Sequence, residues 1–436
     1  MMVLAVMVLS MTACSKGEEE PQPVTDPSAT VSDYSELTIK QLEVRTYEND
    51  GKAAYYLALA YDYGTNDAQQ NFDKAYDWYM KAVELGEARG NVGLGYLYLN
   101  GCGVDVDYDA AHDFFQTAID EGLSDGYVGL ARIALAQYEE NVGAYALSTW
   151  DDMESARYLE THPIIKEDEE SDEDKEEAQQ ALLVQAENAS NASVADTPEY
   201  VALAQKVQEA NETYGADIYD NLKLAYDASN LDGIYYMGYI KERGIGCERD
   251  IDAAIKHYTA VAKNTSTDVW DQYAINSANT RLGILYMDEK WFAAEEEEAV
   301  AHFQSAADNG YAMAEYYVGI LYQLGLGVDR DYETALSWFE KATEQDYAPA
   351  ICQMGYIYFN GLGVDANLEQ AAYYQKLAAA QGYTPAQINL GYMYENGYGV
   401  TQNLETALAY YKLAEESGYA GASEAIARVE LLLKDM

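Results

Sequence analysis

The sequence predicts an all-α solenoid built from helix-turn-helix repeats about 36 residues long, on three observations. The segments LYQLGLGVDRDYETALSWFEKA, IYFNGLGVDANLEQAAYYQKLA and MYENGYGVTQNLETALAYYKLA follow one another with Gly325, Gly361 and Gly397 in step. A fixed period of this size marks stacked units, each burying its apolar face only against its neighbours. Inside each unit, apolar and small residues recur at three- and four-residue intervals, the helix period. The third observation is length: 436 residues can form one elongated body, because an array grows by stacking and need not divide into separate cores.

From the N-terminus, residues 1–13 form an apolar run of signal-peptide length, too short to cross a bilayer as a permanent helix. Its ending, Met11-Thr12-Ala13-Cys14, resembles a bacterial lipobox, although Met11 stands where Leu is usual and no Lys or Arg precedes the run. The resemblance implies that Cys14 carries a lipid anchor. It also implies a place in the bacterial cell envelope, at the outer membrane facing the periplasm or on the outer surface of a single-membrane organism. Residues 14–46 read as a flexible tether, with Pro21, Pro23 and Pro27 opposing regular structure at its start.

Repeats are expected over 47–135 and again over 215–436, the last with a capping helix. In the first helix of a unit an apolar-Gly pair recurs: Leu94-Gly95, Met237-Gly238, Leu282-Gly283, Val318-Gly319, Met354-Gly355 and Leu390-Gly391. Tyr98, Tyr286, Tyr322, Tyr358 and Tyr394 follow three residues later. Gly inside a helix costs about 1 kcal/mol against Ala, so its recurrence predicts a neighbour packed too closely for a Cβ. The second helix repeats A-x-x-aromatic-aromatic, as from Ala335 to Phe339 and from Ala407 to Tyr411. Between the helices lies G-x-G-V, beginning at Gly101, Gly325, Gly361 and Gly397. With no strand before it and no GK[ST] after it, this is a helix terminator rather than a phosphate loop. Asp105, Asp329 and Asp365, which follow the Val, are expected to favour the next helix start.

Together these patterns resemble the Sel1-like repeat family, a relative of the tetratricopeptide repeats, over about 53–131 and 215–432. The resemblance implies a right-handed α/α solenoid whose first helices line the concave side. Between the two blocks, residues 136–214 read as a divergent or inserted acidic helical region. EDEESDEDKEE at 167–177 is a solvated run, and divergent repeats hidden in this region are an open alternative. In the unit near 270–310 the G-x-G-V turn is replaced by MDEKWFAAEEEEAV, so the helix connection there is expected to differ.

With 75 acidic against 26 basic residues the formal charge is −49. Such a field repels a phosphate backbone and excludes nucleic acid as a partner, whereas a basic protein or peptide is attracted. Salt-adapted colouring explains the same acidity. Cys14, Cys102, Cys247 and Cys352 form no CxxC pair, so neither a zinc knuckle nor a redox motif is supported. Asp105-x-Asp107-x-Asp109 opens like a calcium loop, but Ala110 and Gln116 stand where Gly and Glu are required. No metal site and no cofactor are expected. His257 and His302 occupy the slot filled elsewhere by Trp338, Tyr374 and Tyr410, which makes them core fillers rather than catalytic groups. His112 sits in a variable slot and His162 precedes Pro163.

The candidate binding surface comes from the first helices. The places two before, one after and five after the helical Gly share one face. They read Tyr236-Tyr239-Arg243, Tyr317-Ile320-Leu324, Gln353-Tyr356-Asn360 and Asn389-Tyr392-Asn396. Tyr brings apolar area and a hydroxyl at low entropy cost, a composition suited to interfaces. The expected function is a non-catalytic, lipid-anchored scaffold that binds a protein or peptide on this surface. The alternative is an envelope-polymer binder, of peptidoglycan or carbohydrate. A hydrolase is a remote third, because the S-x-x-K, S-D-N and K-T-G set is not assembled.

Overall fold

The structure, a computed structural model, describes residues 34–142, 198–287 and 296–434, apart from positions 36, 66, 67, 267, 418 and 420. Cys14 and the leader, His162, the acidic run at 167–177 and the turn at 288–295 lie outside the described residues.

Capping chemistry sets the boundaries. First helices end on a glycine in the left-handed region: Gly64, Gly101, Gly244, Gly325, Gly361 and Gly397 have φ between 66° and 75°, where an L side chain is strained. Second helices open on a side-chain cap. Asn71, Asp107, Asp250, Asp331, Asn367 and Asn403 each accept a backbone N–H three residues ahead. The expected caps Asp105, Asp329 and Asp365 are therefore two residues early. The chain uses the whole Gly-x-Gly-Val-x-x stretch to reverse, and the caps Asp107, Asp331 and Asn367 that follow it have the extended backbone a cap needs.

After α1 (Ile39–Tyr47) the helices run in pairs: α2 (Gly51–Tyr63) with α3 (Phe72–Glu84), α4 (Arg89–Asn100) with α5 (Tyr108–Asp120), and α6 (Asp125–Val142) with α7 (Pro198–Asp227). Then come α8 (Leu231–Arg243) with α9 (Ile251–Ala262), α10 (Val269–Met287) with α11 (Glu296–Ala307), and α12 (Ala312–Leu324) with α13 (Tyr332–Glu344). The last pairs are α14 (Ala348–Asn360) with α15 (Leu368–Ala380) and α16 (Thr384–Asn396) with α17 (Leu404–Glu416), closed by α18 (Ala422–Lys434). No strand occurs among the described residues. Each second helix packs between its own first helix and the next one, and first helices also approach each other directly, as α6 does α8 and α8 does α10. This is an α/α solenoid with the first helices as its inner layer.

Two expected limits move. Residues 39–46, assigned to the tether, form most of α1, where Leu42 is buried because it closes the open side of α2. Helix α6 runs across the 135/136 limit and α7 across 214/215. Gly126 and Gly129 repeat Gly90 and Gly93 one period on, so α6 is a first helix, and α7 packs on it as its second helix.

The paired aromatics of the second helix divide their work. The first ring stacks on the tyrosine three after the helical Gly: Tyr98 on Phe114 at 5.7 Å, Tyr358 on Tyr374 at 5.6 Å and Tyr394 on Tyr410 at 5.9 Å. The second ring lies beneath the Gly itself. A Cβ at Gly95, Gly238, Gly283, Gly319 or Gly391 would stand 2.6–2.8 Å from Phe115, Tyr258, Phe303, Phe339 or Tyr411. The glycine cost of about 1 kcal/mol is thus offset by close helix-on-ring packing.

Candidate functional site

The histidines take the place of those rings. His302 stacks on Tyr286 at 5.6 Å with an interplanar angle of 6°, and its Nδ1 pairs with Asn279 at 2.9 Å. His257 meets Tyr226 edge-on at 5.3 Å. Desolvation holds both imidazoles below their ordinary pKa, so both are neutral at pH 7. Among the described residues no group of three metal-ligating side chains forms. No described helix is long and apolar enough to cross a membrane.

The seven candidate surface residues fall into three groups. Tyr317 is withdrawn from the surface: it is 7% exposed and stacks on Phe303 at 4.8 Å, filling space beside the Gly283 contact. Its role is packing, which corrects the surface expectation. Tyr236, Tyr239, Gln353 and Asn389 are half-buried and already engaged. Tyr239 donates to Glu139 at 3.3 Å, Gln353 donates to Gln323 at 2.7 Å, and Asn389 donates to Gln375 at 3.4 Å. That last bond follows from a local exception. Gln375 replaces the second ring beneath Gly355, and its amide needs polar company, which Asn389 and the Cys352 carbonyl provide. Tyr356 and Tyr392 remain. They occupy the same place on α14 and α16, and each is 46% exposed.

Sequence reasoning missed the arginines on this face. Arg132 of α6 lies 4.7 Å from the Tyr96 ring centre and 5.7 Å from that of Tyr236, joining α4 to α8. Arg243 lies 4.7 Å from Tyr239. One signal was available: Arg132 stands one period after Tyr96, on the first-helix stripe. Around Arg132 the trough is crowded with charge. Desolvation pushes Asp232 up to about 7, Asp125, Asp271 and Asp268 push further, and Arg132 opposes them. Asp125 is likewise raised by desolvation, against a hydrogen bond from Asn230 at 3.3 Å. Tyr63 of α2, raised well above its ordinary value by desolvation, feels both Tyr273 of α10 and Arg132.

The Sel1 repeat model matches residues 51–87, 88–123, 231–265, 276–311, 312–347, 348–383 and 384–419, more than half of the chain. It passes over α6 and α7. Among solved structures, a Sel1 repeat protein from Oxalobacter formigenes is 24% identical, with 50% of this chain and 86% of that one covered and a TM-score of 0.42. A protective antigen of uropathogenic Escherichia coli, c5321, with an SLR fold, is 21% identical over 90% of each chain, with a TM-score of 0.33. The immunity protein Pa5087 from Pseudomonas aeruginosa is 19% identical, with 47% of this chain and 75% of that one covered and a TM-score of 0.36. None of the three bears on what this chain binds. No curated protein matches the chain.

Proposed function

Because the chain belongs to the Sel1 repeat family, we propose that it is a scaffold that holds a protein or peptide partner on its first-helix face, tethered to the cell envelope through a lipid on Cys14. Sel1 repeats generally mediate protein–protein interaction, and the family is typically non-catalytic. One observation carries the reading to a surface: Tyr356 and Tyr392 present half-exposed rings at the same register of successive inner-layer helices. Scattered exposed apolar side chains need no explanation, whereas two tyrosines repeated in register on a concave layer have the composition of an interface. The lipid anchor is supported by the Met11-Thr12-Ala13-Cys14 ending.

The binding reading is tested by affinity capture from envelope extract with the native chain and a folded Tyr356→Ala/Tyr392→Ala variant. The native chain is expected to enrich a protein that the variant loses, and equal capture by both contradicts the assignment of the face. The anchor is tested separately by palmitate labelling, which a Cys14→Ala change is expected to abolish.

A further inference from the structure

Two inner-face tyrosines, Tyr96 and Tyr239, are covered by the chain's own arginines, and two others at the same register, Tyr356 and Tyr392, are not. Tyr96 and Tyr239 stand one residue after Gly95 and Gly238, and each carries a guanidinium at 4.7 Å, from Arg132 and Arg243. Tyr356 and Tyr392 stand at the same place after Gly355 and Gly391. Over neither ring does a Lys or Arg lie among the described residues. Arg243 reaches Tyr239 from four residues further along the same helix, and the matching positions in α14 and α16 are Asn360 and Asn396. Their amides turn back to the carbonyls of Tyr356 and Tyr392 at 2.9 Å; Tyr392 meets the Tyr398 ring at 5.7 Å, tilted by 50°, and both rings keep about half of their surface exposed. The nearby cations are committed elsewhere: Lys376 lies over Tyr394, and Arg428 is held by Glu395 through two bonds of 2.8 Å.

We propose that Tyr356 and Tyr392 form a two-ring reader for arginine side chains of the partner, which supplies from outside the guanidinium that Arg243 supplies to Tyr239 from within. The inference rests on the proposed function and names the chemistry of the partner it binds. Arginine suits the site because its planar, weakly hydrated head stacks on a ring face, and the two tyrosines at this same register, Tyr96 and Tyr239, both carry arginines, whereas the lysines lie over tyrosines at other places, Tyr34, Tyr61 and Tyr394. The net charge of −49 draws a basic segment toward the molecule. Asn389 of α16 reaches Cys352 of α14 at 3.6 Å, and helices in touch in this way lie about 10 Å apart, so an extended segment rising about 3.3 Å per residue presents an arginine to each ring when arginines fall on every third position.

The test is titration of the full chain with a fluorescent Arg-Ala-Ala-Arg-Ala-Ala-Arg peptide and its lysine and citrulline counterparts. The arginine peptide is expected to bind, less tightly as salt rises, with citrulline at least tenfold weaker. Each Tyr→Ala change is expected to weaken it about fivefold and the pair about 25-fold, while Tyr356→Phe/Tyr392→Phe keeps the affinity because the ring face, not the hydroxyl, does the reading. Both rings are half exposed, and circular dichroism checks that the alanine variants fold. Citrulline binding as well as arginine, or a folded double alanine variant binding like the native chain, overturns the inference. So does retention on peptidoglycan fragments that the alanines abolish while the arginine peptide fails to bind. If captured partner is lost on the alanine change yet the arginine peptide is ignored, this inference falls and the binding face stands.

Discussion

Tyr258 donates its hydroxyl proton to Glu242 at 2.7 Å, across the two helices of one repeat, and Arg281 from the next repeat closes on the same carboxylate at 3.1 Å. All three are deeply buried, and the arginine holds the Glu242 carboxyl below its ordinary range against desolvation. The arrangement recurs at Tyr411, Glu395 and Arg428, and without the arginine at Tyr79 and Asp62. It follows a rule within the chain. Where the place four after the helical Gly (or its counterpart Ala58) is acidic, the second ring is Tyr; where it is Leu99, Met287 or Gln323, the ring is Phe115, Phe303 or Phe339. A buried hydroxyl needs an acceptor, and a ring without one is better as Phe.

That rule predicts a compensating pair. Asp62→Leu alone leaves the Tyr79 hydroxyl without its acceptor and is expected to cost about 1–3 kcal/mol, and Tyr79→Phe alone about 1 kcal/mol. The double variant copies Leu99 with Phe115 and is expected to be more stable than the Asp62→Leu single. Urea unfolding of the four proteins in a double-mutant cycle gives the coupling, and simple additivity contradicts the rule.

At Glu242 the expectation differs, because removing one partner strands a buried charge. Glu242→Gln is expected to destabilise by about 3 kcal/mol or more, and Tyr258→Phe by about 1.5–3 kcal/mol, since it removes one bond to a charged group. Hydrogen exchange at α8–α10 reads this locally, which suits a solenoid whose units contact only their neighbours.

Asp232 makes stability fall as pH rises. Its folded pKa is raised to about 7, above an unfolded value of about 3.9, so the folded state binds more protons between those values and loses stability as pH climbs through that window. Asp232→Asn is expected to raise the melting temperature at pH 8 and to leave it nearly unchanged at pH 4. The stability gain at pH 8 is on the order of 2 kcal/mol, discounted for partial exposure. An equal shift at both pH values contradicts the burial of this carboxyl in the trough. His302 acts the other way. Its pKa is lowered on folding, so its contribution is lost as pH falls below about 6.5. His302→Tyr, which copies Tyr374 and Tyr410, is expected to remove that acid loss.

The two glycine environments of the turns separate strain from crowding. Gly382→Ala meets no atom within 4 Å, and only its φ of 79° opposes the change, at about 1–2 kcal/mol. Gly399→Ala has a φ of 64° and also drives a Cβ into the Leu368 carbonyl of the preceding repeat, so a cost about 2 kcal/mol larger is expected. Thermal melts of the two variants check the difference.

Much of this was legible because repetition makes the chain its own alignment. The helical Gly, the ring pairs and the two half-buried histidines were readable by counting from Gly325, Gly361 and Gly397. The second glycine of each turn was read as a helix terminator, but Gly399 also serves close approach to Leu368 in the unit before, a contact visible only once units are stacked. Tyr317 shows the limit of a stripe argument: its register matches Tyr236, yet its ring turns onto Phe303 and is lost to solvent. Arg132 escaped notice because its partners Tyr96 and Tyr236 sit in separate blocks, joined by the packing of α6 between α4 and α8.

The central claim is that the partner lies on the inner, first-helix face. A photo-crosslinking side chain placed at Tyr392, on that face, and at Tyr373, 54% exposed on second helix α15, tests it in intact cells. A discrete crosslinked protein from position 392 and none from position 373 is the predicted result. Crosslinking from 373 alone, or equally from both, contradicts it.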